Sequence, residues 1–144
     1  MNKFWGHLKT ITHHRHLVMR GCFRMGLIWQ GLTHDLSKYS PTEFLAGVRY
    51  YQGDRSPNTA EREANGYSLA WMHHKGRNRH HFEYWTDLSP KTRTYEPVDM
   101  PVRYLCEMVA DRIAACKTYQ GAAYTDASPL QYLDRANESR LVHP

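Results

Sequence analysis

Two histidine doublets, His73-His74 and His80-His81, lie in the segment WMHHKGRNRHHFEYW, and a second group lies upstream at His13, His14, His16 and His34-Asp35. Nine of the ten histidines precede residue 82. Neutral imidazole and carboxylate are the donors that hold Zn, Mn or Fe at neutral pH. A chain of 144 residues does not need so many of them to fold. Their types and grouping point to a site for a divalent metal, with one or two ions per chain.

Adjacent His34 and Asp35 can offer two ligands from one helix start, and a carboxylate can bridge two cations. Lys38 follows His34 by four residues, on the same helical face, so its ammonium can reach the same pocket. Asp111 sits in the apolar run Met108-Val109-Ala110-Asp111-Arg112-Ile113-Ala114-Ala115. An unpaired carboxylate buried there is expensive. Arg112 is one candidate counter-charge, but adjacent helical residues diverge in direction, and a metal cation would serve.

His73 and His80 are seven residues apart, as are His74 and His81. Either pair shares a face if the helix runs straight, and Gly76 and Asn78 predict that it does not. One member of each doublet is expected to bind metal, while the other orients it or touches substrate. His73, His74, His80 and His81 therefore all stand as candidate ligands. Lys75 and Arg77 join Lys38 as candidate contacts for an anionic substrate. A rival reading takes the basic residues with Phe82, Tyr84 and Trp85 as a nucleic-acid surface that combines stacking with charge.

The elements that must position these groups read as helices. Leu8, Ile11, Val18, Cys22, Met25 and Trp29 mark one apolar face, weakened by Gly21 and Gly26 and ended near Gly31. His14 falls at the edge of that face, three residues after Ile11 and four before Val18; His16 is rotated about 200° away. His14 is thus the inward ligand, with His13 and His16 as outer-sphere or surface residues. Ser40-Pro41-Thr42-Glu43 is a capping box opening a helix through about Tyr51. Ser56-Pro57 starts another, running toward His74, with Glu61 and Glu63 complementing its dipole. The stretch from Thr86 to Pro101 reads as a loop. A helix restarts at Asp99-Met100-Pro101 and runs to about Tyr119, and Ser128-Pro129-Leu130-Gln131 opens a short final one. The fold class is all-α: a single helical domain spanning residues 1–144.

The chain is 41% hydrophobic and 23% charged, which fits a globular rather than a disordered protein. Its net charge of +5 suits an anionic partner such as a small phosphorylated molecule, with nucleic acid the less favoured choice. Cys22, Cys106 and Cys116 lie far apart in apolar stretches, as buried free thiols of a reducing cytoplasm do. No apolar run approaches the roughly 20 residues needed to span a bilayer, so no membrane association is expected.

The order His14…His34-Asp35…His doublets…Asp111 resembles the HD-domain superfamily of metal-dependent phosphohydrolases. His-Asp-Leu-Ser-Lys at 34–38 is similar to the His-Asp-x-Gly-Lys form of its dinuclear branch, with Ser37 in place of the usual glycine. His14 with Val18 also looks like the His-x-x-x-Val at the start of such domains. The resemblance implies an HD-like bundle in which His14, His34, Asp35 and Asp111 hold one metal. A second ion would share Asp35 and take one histidine from each doublet. Asp35 and Lys38 would then be catalytic, Lys38 positioning a substrate phosphate or a metal-bound water, and the activity would be hydrolysis of a nucleotide or other small phosphate ester. The same ligands also serve di-iron oxygenases of that superfamily, which is the alternative. Over nearly its full length the chain further resembles a small uncharacterised family of bacterial and phage proteins that share HDLSKYSP and HHKGRN-x-HH.

Overall fold

The computed structural model describes residues 2–136. Seven α-helices are found among them: α1 (Lys3–Arg24), α2 (Ile28–Thr33), α3 (Pro41–Arg49), α4 (Pro57–Asn65), α5 (Leu69–Lys75), α6 (Val102–Gln120) and α7 (Ser128–Ala136). The domain is mostly helical, as the patterning predicts.

Helix α1 starts where the Asn2 side chain accepts a hydrogen bond from the Phe4 amide at 2.9 Å. The apolar pattern suggests continuation toward Trp29, but the helix stops at Met25. Gly26 adopts a φ of +73°, and the Leu27 and Gly26 amides bond back to the carbonyls of Cys22 and Phe23. This is a Schellman stop, which only a residue tolerant of positive φ closes without strain. The chain then turns into α2, which brings His34 back toward α1.

Helices α1 and α6 form the apolar heart of the domain, with Val18, Cys22, Ala110 and Ala114 buried together. Small residues at the crossing let the backbones approach, and a Cβ on Gly21 would lie 3.2 Å from that of Ala110. This core is small. Among the described residues, buried polar and charged side chains outnumber buried apolar ones. Burying so many ionisable groups is tolerable only if they compensate one another, so the polar centre must organise the fold as much as the apolar one does.

Three sequence expectations need correction. The helix anticipated from Pro57 to His74 is split, because Gly66 terminates α4 in the left-handed region at φ +82° and Ser68 caps α5 by accepting from the Trp71 amide. Glu61 is not a solvated dipole partner. It is buried and accepts from the Ser68 hydroxyl at 2.5 Å, which fixes that second start. The stretch after Thr86 contains a short antiparallel hairpin, β1 (Thr86–Leu88) with β2 (Tyr95–Pro97), in the register Thr86↔Pro97 and Leu88↔Tyr95. Three-residue strands carry too little alternation to be read from sequence. No helix among the described residues is long and apolar enough to cross a membrane.

Candidate metal centre

The site is built around Asp35. Its carboxylate is almost fully buried, and its backbone sits in the left-handed region at φ 54°, ψ 26°. Asp is among the few non-glycine residues that tolerate this conformation, and such outliers gather at functional sites. Arg15 of α1 holds the turn in place: its guanidinium donates to the His34 carbonyl at 3.0 Å and to the Leu32 carbonyl at 2.5 Å. The left-handed turn lets His34 and Asp35 face the same interior.

The two Asp35 oxygens look in different directions. Oδ2 faces His34 Nε2 at 3.2 Å, His14 Nε2 at 3.7 Å and Lys38 Nζ at 2.6 Å. Oδ1 faces His74 Nε2 at 3.3 Å and His80 Nε2 at 3.2 Å. The oxygen-to-imidazole spacings exceed those of a charge-assisted hydrogen bond. They match the separation of about 3.4 Å between two donors on one tetrahedral ion with bonds near 2.1 Å. Among the described residues, Nε2 of His34, His80 and His81 and Oδ1 of Asp35 are buried with no hydrogen-bond partner. Buried polar atoms are rarely left so. A divalent cation would satisfy them all, so the donor set fits a metal.

Two donor groups share Asp35. One is His14, His34, Asp35 and Asp111; the other is Asp35, His74, His80 and His81; within each, donor atoms lie within 4.8 Å of one another. His14 comes from α1 and Asp111 from α6, joined at 2.8 Å. Asp111 thus finds its counterpart on another helix rather than in Arg112, whose guanidinium lies 6.0 Å from the Phe82 ring centre.

Behind these donors stand two buried glutamates. Glu107, one turn before Asp111 on α6, accepts at a single oxygen from His34 Nδ1 at 2.9 Å, and His80 Nδ1 lies 3.2 Å from the same oxygen. Glu43 takes His73 Nδ1 at 2.7 Å and His74 Nδ1 at 2.8 Å. A carboxylate on Nδ1 fixes the tautomer, so that the Nε2 lone pair faces inward. Ser40 makes no capping bond to α3, and its capping-box partner Glu43 is instead turned into the interior. Asn78 shapes the return of the chain after α5, donating to the His74 carbonyl and to Ser37 Oγ, both at 2.8 Å.

Electrostatics follow the same division. Burial opposes the charge on Asp35, but His34, Lys38 and His74 outweigh it and hold the carboxyl well below its usual range. Burial likewise opposes a proton on His34, yet Asp35, Asp111 and Glu107 raise its pKa well above the ordinary value. Burial lowers the pKa of His14, with help from Lys38. It also lowers that of His81, with help from His80 and His74. Both rings are therefore held toward the neutral form.

Of the residues singled out in the sequence, the structure brings together His14, His34, Asp35, Lys38, His74, His80, His81 and Asp111. It does not bring His73, Lys75 or Arg77 into either donor group. His73 is clamped on Glu43 at the periphery, and exposed Arg77 bonds the His73 carbonyl at 3.2 Å. His73 and Lys75 flank His74 on α5, and neighbouring helical residues are rotated by about 100° from one another. The second doublet contributes both of its members to the same donor group, not one. His13 and His16 are exposed. In the basic aromatic segment, Arg79 lies over the rings of Tyr84 and Tyr104 at about 6 Å and packs within the chain. Arg55 pairs with Glu63 at 2.8 Å. The sequence marks Asn78 as a bend but does not mark Glu43, Glu107 or Arg15 as parts of the site; the four-residue step from Glu107 to Asp111 is the one available signal.

A family model described as "Family of unknown function (DUF5662)" matches residues 3–144. No curated protein and no solved structure matches the chain.

Proposed function

We propose that this chain, which belongs to the DUF5662 family, is a metal-dependent phosphohydrolase acting on a nucleotide or other small phosphate ester, with an HD-type arrangement of helices. The observation that carries this reading is the division of the Asp35 carboxylate between two imidazole-rich donor groups, with the Lys38 ammonium 2.6 Å from its Oδ2. His14, His34, Asp35 and Asp111 would hold one divalent ion, and Asp35 with the later histidines a second. Bound there, such an ion supplies Lewis acidity and a nucleophile at neutral pH.

The chain's own groups divide the remaining work. Lys38 and Asp111, with side chains 27% and 16% exposed, and the half-buried His81 are the more open members, whereas the side chains of His34, Asp35 and His80 are 0–2% exposed. Substrate thus approaches on the side of Lys38 and Asp111. Lys38 Nζ neutralises a phosphoryl oxygen there, and the buried imidazoles exclude water from the inner face. Burial opposes ionisation of Asp111, but bonds to His14 and His34 hold its carboxyl well below the usual range. A di-iron oxygenase would use the same donors. The cation beside the shared carboxylate favours a phosphate-bearing substrate over oxygen chemistry.

The test is hydrolysis of a panel of nucleotides and phosphate monoesters by protein reconstituted with Mn, Fe or Zn, beside Asp35→Asn and Lys38→Ala. Metal-dependent turnover is expected, lost in the first variant and raised in KM in the second. Wild-type protein that carries metal and is inert on every ester would sink the proposal.

A further inference from the structure

We infer that the two donor groups are unequal and fill in order: the pocket of Asp35, His74, His80 and His81 takes a borderline ion such as zinc or iron(II) first and tightly. The pocket of His14, His34, Asp35 and Asp111 takes a second, harder ion more weakly. The inference rests on reading the cluster as a metal centre, and it adds what each half selects.

The first argument is donor chemistry. Both members of the second doublet join the same donor group, so that pocket offers three imidazoles and one carboxylate, against two and two in the other. Imidazole suits zinc and iron, whereas oxygen-rich sets suit manganese. His81 is the residue that creates the difference. Its Nε2 is buried without a partner among the described residues, and its ring stands within 5 Å of those of both His74 and His80.

The second argument is competition. In the three-histidine pocket two of the inward nitrogens are already aimed: Glu43 secures His74 from behind and Glu107 secures His80. Asp35 Oδ1 faces only those rings among its ion-pair partners. The other pocket is engaged with itself. His14 Nε2 is hydrogen-bonded to Asp111 at 2.8 Å, and Lys38 Nζ sits 2.6 Å from the Asp35 oxygen on that side. An ion entering there must break the first contact and work against the second charge. Glu107 also backs His34, at 2.9 Å, so it is the His14–Asp111 bond and the Lys38 charge that rank the pockets the same way as donor chemistry.

Chelator-stripped full-length protein is titrated with Zn²⁺ against a competing chelator, and X-ray absorption at one equivalent counts the imidazoles. The expected result is a two-step isotherm, with three imidazoles at the first equivalent. His81→Gln should weaken the first step by more than about 100-fold, beyond the 10–100-fold that loss of an outer-sphere partner produces. Asp111→Asn should weaken only the second. One step of uniform affinity, two imidazoles at the first equivalent, or loss of the first step in Asp111→Asn overturns the inference. If His81→Gln does not fold, the imidazole count on wild type decides. Protein that loads in this order but hydrolyses nothing retires the hydrolase alone, and equal pockets in an active enzyme retire this inference alone.

Discussion

Glu107→Gln isolates the positioning of the metal ligands from the ligands themselves. One Glu107 oxygen faces Nδ1 of His34 at 2.9 Å and of His80 at 3.2 Å, and these two histidines belong to different donor groups. Glutamine keeps the shape and one carbonyl oxygen but removes the charge that polarises both imidazoles. Loss of an outer-sphere carboxylate lowers metal affinity about 10–100-fold, or roughly 1.4–2.7 kcal/mol. Since one side chain serves both pockets, both binding steps should weaken. The shorter bond places the larger loss on the pocket containing His34. Glu43→Gln backs only His74 among the proposed ligands, so it should weaken the three-histidine pocket alone. Competitive titration with a calibrated chelator reads both steps. Glu61→Gln is the control: it disturbs a buried carboxylate bonded to Ser68, away from the donor groups, and should lower thermal stability while leaving metal affinity unchanged. The reasoning is refuted if Glu107→Gln binds both equivalents as tightly as wild type, or if Glu61→Gln weakens metal as much.

Three further outcomes are expected. Burial and then Lys38 lower the pKa of His7 from 6.5 to about 4. The unfolded chain therefore takes up the proton first, and stability falls as pH drops from 6.5 to 4, by at most about 3 kcal/mol and roughly 1–2 after solvent screening. His7→Leu should remove that part of the acid sensitivity in paired denaturant titrations, and identical pH slopes would count against it. Gly47→Ala places a Cβ in overlap with the His7 ring. The overlap should lower stability by about 1–3 kcal/mol, seen as a drop in melting temperature, and an unchanged melt would mean the ring moves freely. Arg15→Ala leaves the Leu32 and His34 carbonyls without their charged donor. It should cost about 1.5–3 kcal/mol and loosen metal retention; Arg15→Lys should restore little, because an ammonium lacks the guanidinium fork.

How far the sequence reaches depends on the distance over which each feature is decided. The helix starts at Pro41 and Pro57 and the inward face of α1 that carries His14 are local matters of proline geometry and 3.6-residue periodicity. They could be read directly. So could the density of imidazole and the His34-Asp35 pair. The stop at Gly26 was visible only as a weak point, and the break at Gly66 was not read at all. Whether a glycine ends a helix depends on what the following residues pack against, and here Leu27 packs on the α1–α6 core.

Convergence was decided by tertiary structure. Glu43 carries every local mark of a helix cap, yet it bonds histidines 30 and 31 residues away. Glu107 resembles any helical glutamate until α6 sets it against His34, 73 residues distant. The doublets show the same limit: the 100° step between neighbouring helical residues leaves His73 outside the donor groups that His74 enters, and the turn after Lys75, held by Asn78, brings both His80 and His81 in. Ligand type is a property of a residue and is written in the chain. Which ligands share an ion, and which carboxylate stands behind each, is a property of distances between helices, which no local pattern encodes.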